Sequence, residues 1–244
     1  MNRNSDSGFT LIELLVVVAI IALLVTIIMP SLGRAKALAR TMHCQSNLHQ
    51  QSLGVLAYSL DYGHSFPIGI DMIDWTTDWS QLVNGYIMQD AMNWDGQGLC
   101  PAFQCPDAVY KKGKVHFASH PRLMADLGKI NKGWVPAYKT LHVRRPSELV
   151  LTMDSGQTPS SGNAHSTAWR LDDWGWYYGD KLVYDPDTAG EPIEVGVNSD
   201  EYEGRGDVRY RHMDNDVACF SFVDGHAESF EIGTVLQRNV RVAR

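Results

Sequence analysis

Charge is almost missing from one stretch of this sequence: between Phe9 and Met29 the only ionisable side chain is Glu13. Such a run excludes an ordinary amphipathic surface helix, and as a helix at about 1.5 Å per residue it is long enough to cross about 30 Å of hydrocarbon. Proline is scarce beyond it, with none between Pro30 and Pro67, so no residue of that kind breaks a helix there. No Lys/Arg-rich patch is interleaved with aromatics and the net charge is -7, which argues against nucleic acid as a partner. Catalytic signatures are lacking as well. There is no nucleophile elbow, no His-Glu-x-x-His, no phosphate loop and no dinucleotide fingerprint, so no enzyme is expected.

Cysteine is limited to Cys44, Cys100, Cys105 and Cys219. Four are compatible with two disulfides, in any of three connectivities, if the body of the protein lies outside the cytoplasm. The Cys100 to Cys105 spacing also suggests metal ligation, but no second pair with zinc-like spacing accompanies it. What the chain has in quantity is aromatic: 7 Trp and 10 Tyr, several of them clustered in "DMIDWTTDW" and "DDWGWYYGD". Such residues fill a small core and cover loops, or, as with Trp174, Trp176 and Tyr177, form a surface for glycan or protein. With 44% hydrophobic and 20% charged residues, the part after the apolar run has the composition of a globular body.

A charged side chain inside a membrane segment costs roughly 2.5 to 3.5 kcal/mol, so Glu13 needs a partner. The stretch "GFTLIELLVVVAIIALLVTIIMP", Gly8 to Pro30, resembles the prepilin signal of type IV pilins and pseudopilins, the subunits of pili and of type II secretion pseudopili. It combines a glycine before an aromatic, a Glu five residues after that glycine, and a proline closing the apolar run. The resemblance implies that a membrane-embedded prepilin peptidase cuts after Gly8 and N-methylates Phe9. Glycine suits such a site because, without a Cβ, it lets the enzyme approach the backbone closely. The resemblance further implies that Glu13 of one subunit pairs with the Phe9 amine of a neighbour during assembly, in a low dielectric where an unpaired charge is strongly unfavourable. It places the protein in the bacterial inner membrane as a single-pass chain with a periplasmic C-terminal body, in contact with lipid, other pilin or pseudopilin subunits and an assembly platform. Arg34, Lys36 and Arg40 after the span outnumber Arg3 before it, and a bare positive-inside count gives the reverse orientation. The specific motif outweighs that small count.

The expected fold is α+β: a long N-terminal helix, membrane-spanning in its first half, packed on a small antiparallel sheet with a large irregular insert. Residues 1–8 read as a leader, 9–30 as the transmembrane and assembly helix, 31–62 as its periplasmic continuation, and 63–244 as the body. Pro30 kinks but need not end the helix, and Gly63 supplies a stop. At 100° per residue, Ala35, Leu38, Ala39, Met42, Leu53, Leu56 and Leu60 form a broad stripe, expected to bury against the sheet. Cys44, Leu48 and Val55 form a second stripe, expected to face more of the body or a neighbouring subunit. "WSQLVNGYIMQD" reads as a short helix and Leu149 to Met153 as a strand. Residues 155–207 read as a loop region. Near the end, a hairpin over 217–232 is expected to turn on the two residues Asp224 and Gly225.

The C-terminal part is similar to a subset of prepilin-like proteins in which a His precedes an Asp-Gly turn. His212 and Asp224-Gly225 match, although eleven residues separate them here where nine are usual. Oxygen-rich "DND" makes calcium a candidate cofactor, with Asp214, Asp216 and Asp224 as possible ligands, since some pseudopilins similarly hold that ion in an acidic C-terminal loop. Two functions follow. The first is a structural prepilin-like subunit of a pilus or pseudopilus; the alternative is an anchored or filament-tip binding module that uses the aromatic insert.

Overall fold

The computed structural model describes residues 10–71, 77–88, 100–133, 137–164, 168, 171, 184–200 and 207–242. The chain divides into two units, residues 1–39 and 40–244. Helix α1, Leu11–Asp61, supplies all the regular structure described in the first unit and continues into the second. The leader, with Gly8 and Phe9, lies outside the described residues. The helix opens on a reciprocal cap. The Glu13 N–H donates to the Thr10 hydroxyl at 3.3 Å while the Glu13 carboxylate accepts from the Thr10 N–H at 2.9 Å, satisfying orphan donors of the first turn. Pro30 sits inside the helix, where it offers no N–H to the preceding turn. The helix ends at Asp61, where the His64 N–H returns to the Ser59 carbonyl at 2.7 Å and Gly63 takes a φ of 60°. A left-handed glycine just past the last turn is a standard helix stop.

In the second unit, residues 40–61 of α1 pack on a four-stranded antiparallel sheet, so the fold is α+β with a long apolar N-terminal helix. The strands are β1 (Phe117–Ser119), β2 (Val150–Asp154), β3 (Val217–Phe222) and β4 (Ala227–Glu231), in spatial order β1-β2-β3-β4. Three short helices complete the regular α structure described: α2 (Trp79–Ile87), α3 (Leu127–Asn131) and α4 (Gln237–Val240). α2 begins at Asp78, whose carboxylate accepts from the N–H groups of Ser80 and Gln81. β1 is three residues long and all three are buried.

Both sheet faces are buried. Phe117, Leu151 and Cys219 meet Cys44, Leu48 and Val55 of α1 in one cluster. Ala118, Val150, Met153, Phe220 and Phe222 join Tyr210, Val235 and Val240 in the other. Alternation would put Val150 and Met153 on opposite faces. They share one because the β2–β3 register shifts between Val150 and Thr152.

Two expectations are corrected. The broad leucine stripe of α1 does not bury on the sheet: Leu38, Met42, Leu53 and Leu60 are exposed, while Cys44, Leu48 and Val55 are fully buried. The inward face is completed by polar residues that apolar periodicity does not count. Asn47 and Gln51 donate to the carbonyls of Gln104 (2.8 Å) and Ala102 (2.6 Å), and Ser52 to that of Gly225 (2.9 Å). The hairpin turn is also longer than two residues. The Phe222 N–H bonds the His226 carbonyl and the Gly225 N–H the Phe222 carbonyl, so Val223, Asp224 and Gly225 form a three-residue loop. Only Gly225, at φ 99°, is left-handed there. A two-residue type I′ turn needs positive φ at both central residues, and Asp224 does not adopt it.

Candidate functional site

Two features of the described residues carry chemistry. The first is the start of α1. Every side chain from Thr10 to Lys36 is exposed, Leu11, Ile12 and Ile27 among the most. A helix apolar over its whole circumference is stable only where lipid or other protein covers it. Among the described residues α1 is the one helix long and apolar enough to cross a membrane. Glu13 Oε2 accepts from both the N–H and the hydroxyl of Thr10, at 2.9 and 2.7 Å, which holds the carboxylate beside the helix start, next to where Phe9 joins the chain. Thr10 is a capping position that the reading of the apolar run does not include. The signal for it, Ser/Thr-x-x-Glu ahead of an apolar run, is present in "TLIE".

The second feature is a buried group of sulfur, imidazole and carboxylate. Cys44 comes from α1, Cys105 from just after the short helical turn Pro101–Phe103, Asp154 from the end of β2, and Cys219 from the middle of β3. His212 is tied in by its own backbone, whose N–H and C=O both bond Val217 at the start of β3. Cys44 Sγ is 3.6 Å from Cys105 Sγ and 3.7 Å from Asp154 Oδ1. His212 Nε2 is 3.5 Å from Cys105 Sγ and 3.2 Å from Asp154 Oδ2. On its other side His212 Nδ1 donates to Asp107 Oδ2 at 2.8 Å, and Asp107 is in turn paired with Arg40. The Cys219 N–H donates to Asp154 Oδ2 at 2.8 Å, and the guanidinium of Arg211 lies against the same carboxylate.

The electrostatics follow from this packing. Burial pushes the Asp154 carboxyl up, but the His212 imidazole and Arg211 outweigh it and hold it below the usual carboxylate range. Burial works against a charge on His212, and Asp154 reverses that, raising it well above the ordinary imidazole range. Burial, then the neighbouring Cys105, drives the Cys44 thiol up. Burial acts the same way on Cys105, but hydrogen bonds with Cys44 and His212 help bring it down to about 7.

The sequence-derived site residues separate accordingly. All four cysteines are free thiols and buried, so neither of the two expected disulfides is present. The approach of Cys44 to Cys105 is well beyond the roughly 2.05 Å of a disulfide bond. Cys100 sits apart from the cluster, its N–H donating to the Asn84 side chain. Cys44, Asp154, His212 and Cys219 place their ligand atoms mutually within 4.8 Å, the one such group of metal-capable side chains among the described residues. Asp214, Asp216 and Asp224 are not in it. Asp214 belongs to a left-handed turn, Met213 to Asn215, and Asp224 accepts from the N–H and ring of His226. Trp174, Trp176 and Tyr177 lie outside the described residues. Asp107, Asp154 and Arg211 were not singled out from the sequence; Asp154 ends the strand segment "PSELVLTMD", and no local spacing ties it to His212.

Residues 3–29 match a family model described as the prokaryotic N-terminal methylation motif. Together with the apolar helix, that match fits a type IV pilin/pseudopilin-like protein. Comparison with curated proteins and with solved structures found no match.

Proposed function

We propose, from a chain whose N-terminus fits a type IV pilin-like protein, that it is a structural subunit of a pilus or a type II secretion pseudopilus. The motif implies processing by a prepilin peptidase and assembly with other pilin subunits. In this reading the peptidase cuts after Gly8 and methylates the amine of Phe9. Before extraction the chain is anchored once in the inner membrane, with the body of residues 40–244 on the periplasmic side. Assembly transfers the exposed face of residues 11–36 from lipid to neighbouring helices, and packing of that head-to-tail kind propagates as an open filament. Glu13, already turned toward the helix start by Thr10, then meets the methylated amine of an adjacent subunit. The pair sets axial register, because a one-residue slip leaves a buried carboxylate without its partner. No catalytic role is assigned to the body.

The observation that carries this reading is the combination at the start of α1: an apolar helix exposed on every side, with a lone carboxylate held at its capped first turn. The test is the mature N-terminus of the protein expressed with its own peptidase, since no other common anchor is both trimmed after glycine and N-methylated.

A further inference from the structure

We propose that the buried cluster of the body is a structural metal site for a zinc-class ion. Its donors are drawn from Cys44, His212, Cys219 and Asp154, whose ligand atoms lie mutually within 4.8 Å, with Cys105 beside Cys44 and His212 as the alternative to Cys219 or Asp154, so that Cys44 and His212 belong to each of these sets. A free buried cysteine needs no polar company, because it packs as a small hydrophobe. Here three of the chain's four cysteines, from segments far apart in sequence, converge on one imidazole nitrogen in the core.

The spacing is that of a tetrahedral site. With Zn–S near 2.3 Å and Zn–N near 2.0 to 2.1 Å, tetrahedral angles separate two sulfurs by about 3.8 Å and a sulfur from a nitrogen by about 3.5 Å. Cys44 and Cys105 are 3.6 Å apart, and Cys105 and His212 are 3.5 Å apart. The edges to one carboxylate oxygen are close to this too: Asp154 Oδ2 is 3.2 Å from His212 Nε2 and 3.8 Å from Cys44 Sγ. Soft thiolates with one imidazole select zinc over calcium or magnesium.

The outer layer has the form such sites use. Asp107 accepts a hydrogen bond from the Nδ1–H of His212, so Nε2 points into the cluster as the ligating nitrogen, and Arg40 fixes Asp107 in turn. Arg211, fully buried beside Asp154, offsets the negative charge of the thiolates. An ion bound here would cross-link α1 and the segment before β3 to two further segments, drawn from β2, β3 and the loop after the 101–103 turn. The competing arrangement is metal-free: an imidazolium clamped between Asp107 and Asp154, with three thiols packed beside it.

The experiment uses the full chain in detergent. Metal is counted by elemental mass spectrometry after gel filtration, and cobalt is exchanged in as a spectroscopic probe. The expected result is about one zinc per chain, with tetrahedral d–d bands and thiolate-to-cobalt charge transfer. Cys44→Ser and His212→Gln should lose both, whereas Cys100→Ser, equally a buried cysteine change, should lose neither. Asp107→Ala, a positioning change, should weaken zinc affinity about 10- to 100-fold while leaving the cobalt spectrum tetrahedral. Wild-type protein without stoichiometric metal, or with no thiolate-to-cobalt band, overturns the proposal whatever the variants do. So does a disulfide among Cys44, Cys105 and Cys219 in freshly purified protein.

Discussion

Glu13 accepts from Thr10 twice through one oxygen, at 2.9 Å from the backbone N–H and 2.7 Å from the hydroxyl. One carboxylate therefore has two separable tasks: it caps α1 within its own chain, and in the proposed filament it neutralises a neighbour's amine. Glutamine performs the first task but not the second, because it keeps an acceptor at the capping position and loses the charge. Glu13→Gln should consequently leave peptidase processing intact and reduce incorporation into filaments severely. Thr10→Ala should cost about 1 kcal/mol of helix stability and leave incorporation near normal. Quantifying sheared filaments beside membrane-retained subunit reads both. Normal filaments from Glu13→Gln would remove the pairing argument.

Gly8→Leu should abolish processing. The chain would accumulate at precursor mass with the leader attached, because a Cβ and its branches block close approach of the peptidase to the backbone. Immunoblotting of membranes with and without the peptidase checks this. A mature-sized product from Gly8→Leu would count against the whole assignment.

The two stripes of α1 should respond oppositely to substitution. Gln51→Leu leaves the buried carbonyl of Ala102 without its 2.6 Å donor and should cost about 1 to 3 kcal/mol of body stability. Met42→Gln and Leu53→Gln alter exposed positions and should stay within about 0.5 kcal/mol. Denaturant midpoints of the detergent-solubilised chain compare them. Equal losses on both stripes would mean the exposed leucine stripe is covered within the subunit itself.

His120 gives the body an acid-sensitive element. Its Nε2 is 2.7 Å from the Val240 carbonyl, and its Nδ1 accepts from the N–H groups of Arg122 and Leu123, which suits a neutral ring protonated on Nε2. Burial is the main cause that brings its pKa down to about 4, with Arg122 adding to it against the Val240 hydrogen bond. In the unfolded chain the value is about 6.5. The unfolded state thus binds a proton the folded state refuses. The resulting stability is complete above about pH 6.5 and declines as pH falls toward 4, by up to about 3 kcal/mol. Urea midpoints at pH 7 and pH 4.5 should diverge more for wild type than for His120→Gln. Equal divergence would place the acid sensitivity elsewhere.

Elements whose cause is local could be read from the sequence. The apolar run, the glycine after α1, Asp78 ahead of α2, β2 and the β3–β4 hairpin each carry a signal within a few residues. What escaped depends on distant partners. The inward face of α1 uses Asn47, Gln51 and Ser52, whose polarity is satisfied only by carbonyls of Gln104, Ala102 and Gly225. β1 is three residues long and is defined by its pairing with β2. At the cluster Cys44, Cys105, Cys219 and His212 each stand out singly in the sequence, but their convergence does not. Cys44, Cys105, Asp154, His212 and Cys219 share no motif spacing, and it is the sheet order and the packing of α1 that bring them together. Thr10 differs from these, since its capping signature was fully local.

The central claim is tested most directly by intact mass and N-terminal peptide analysis of the protein expressed beside its native peptidase. The account predicts a chain that begins at Phe9 and carries a methyl group on its amine. A chain still beginning at Met1, with the peptidase demonstrably active on another substrate, would contradict it and reduce α1 to a simple anchor.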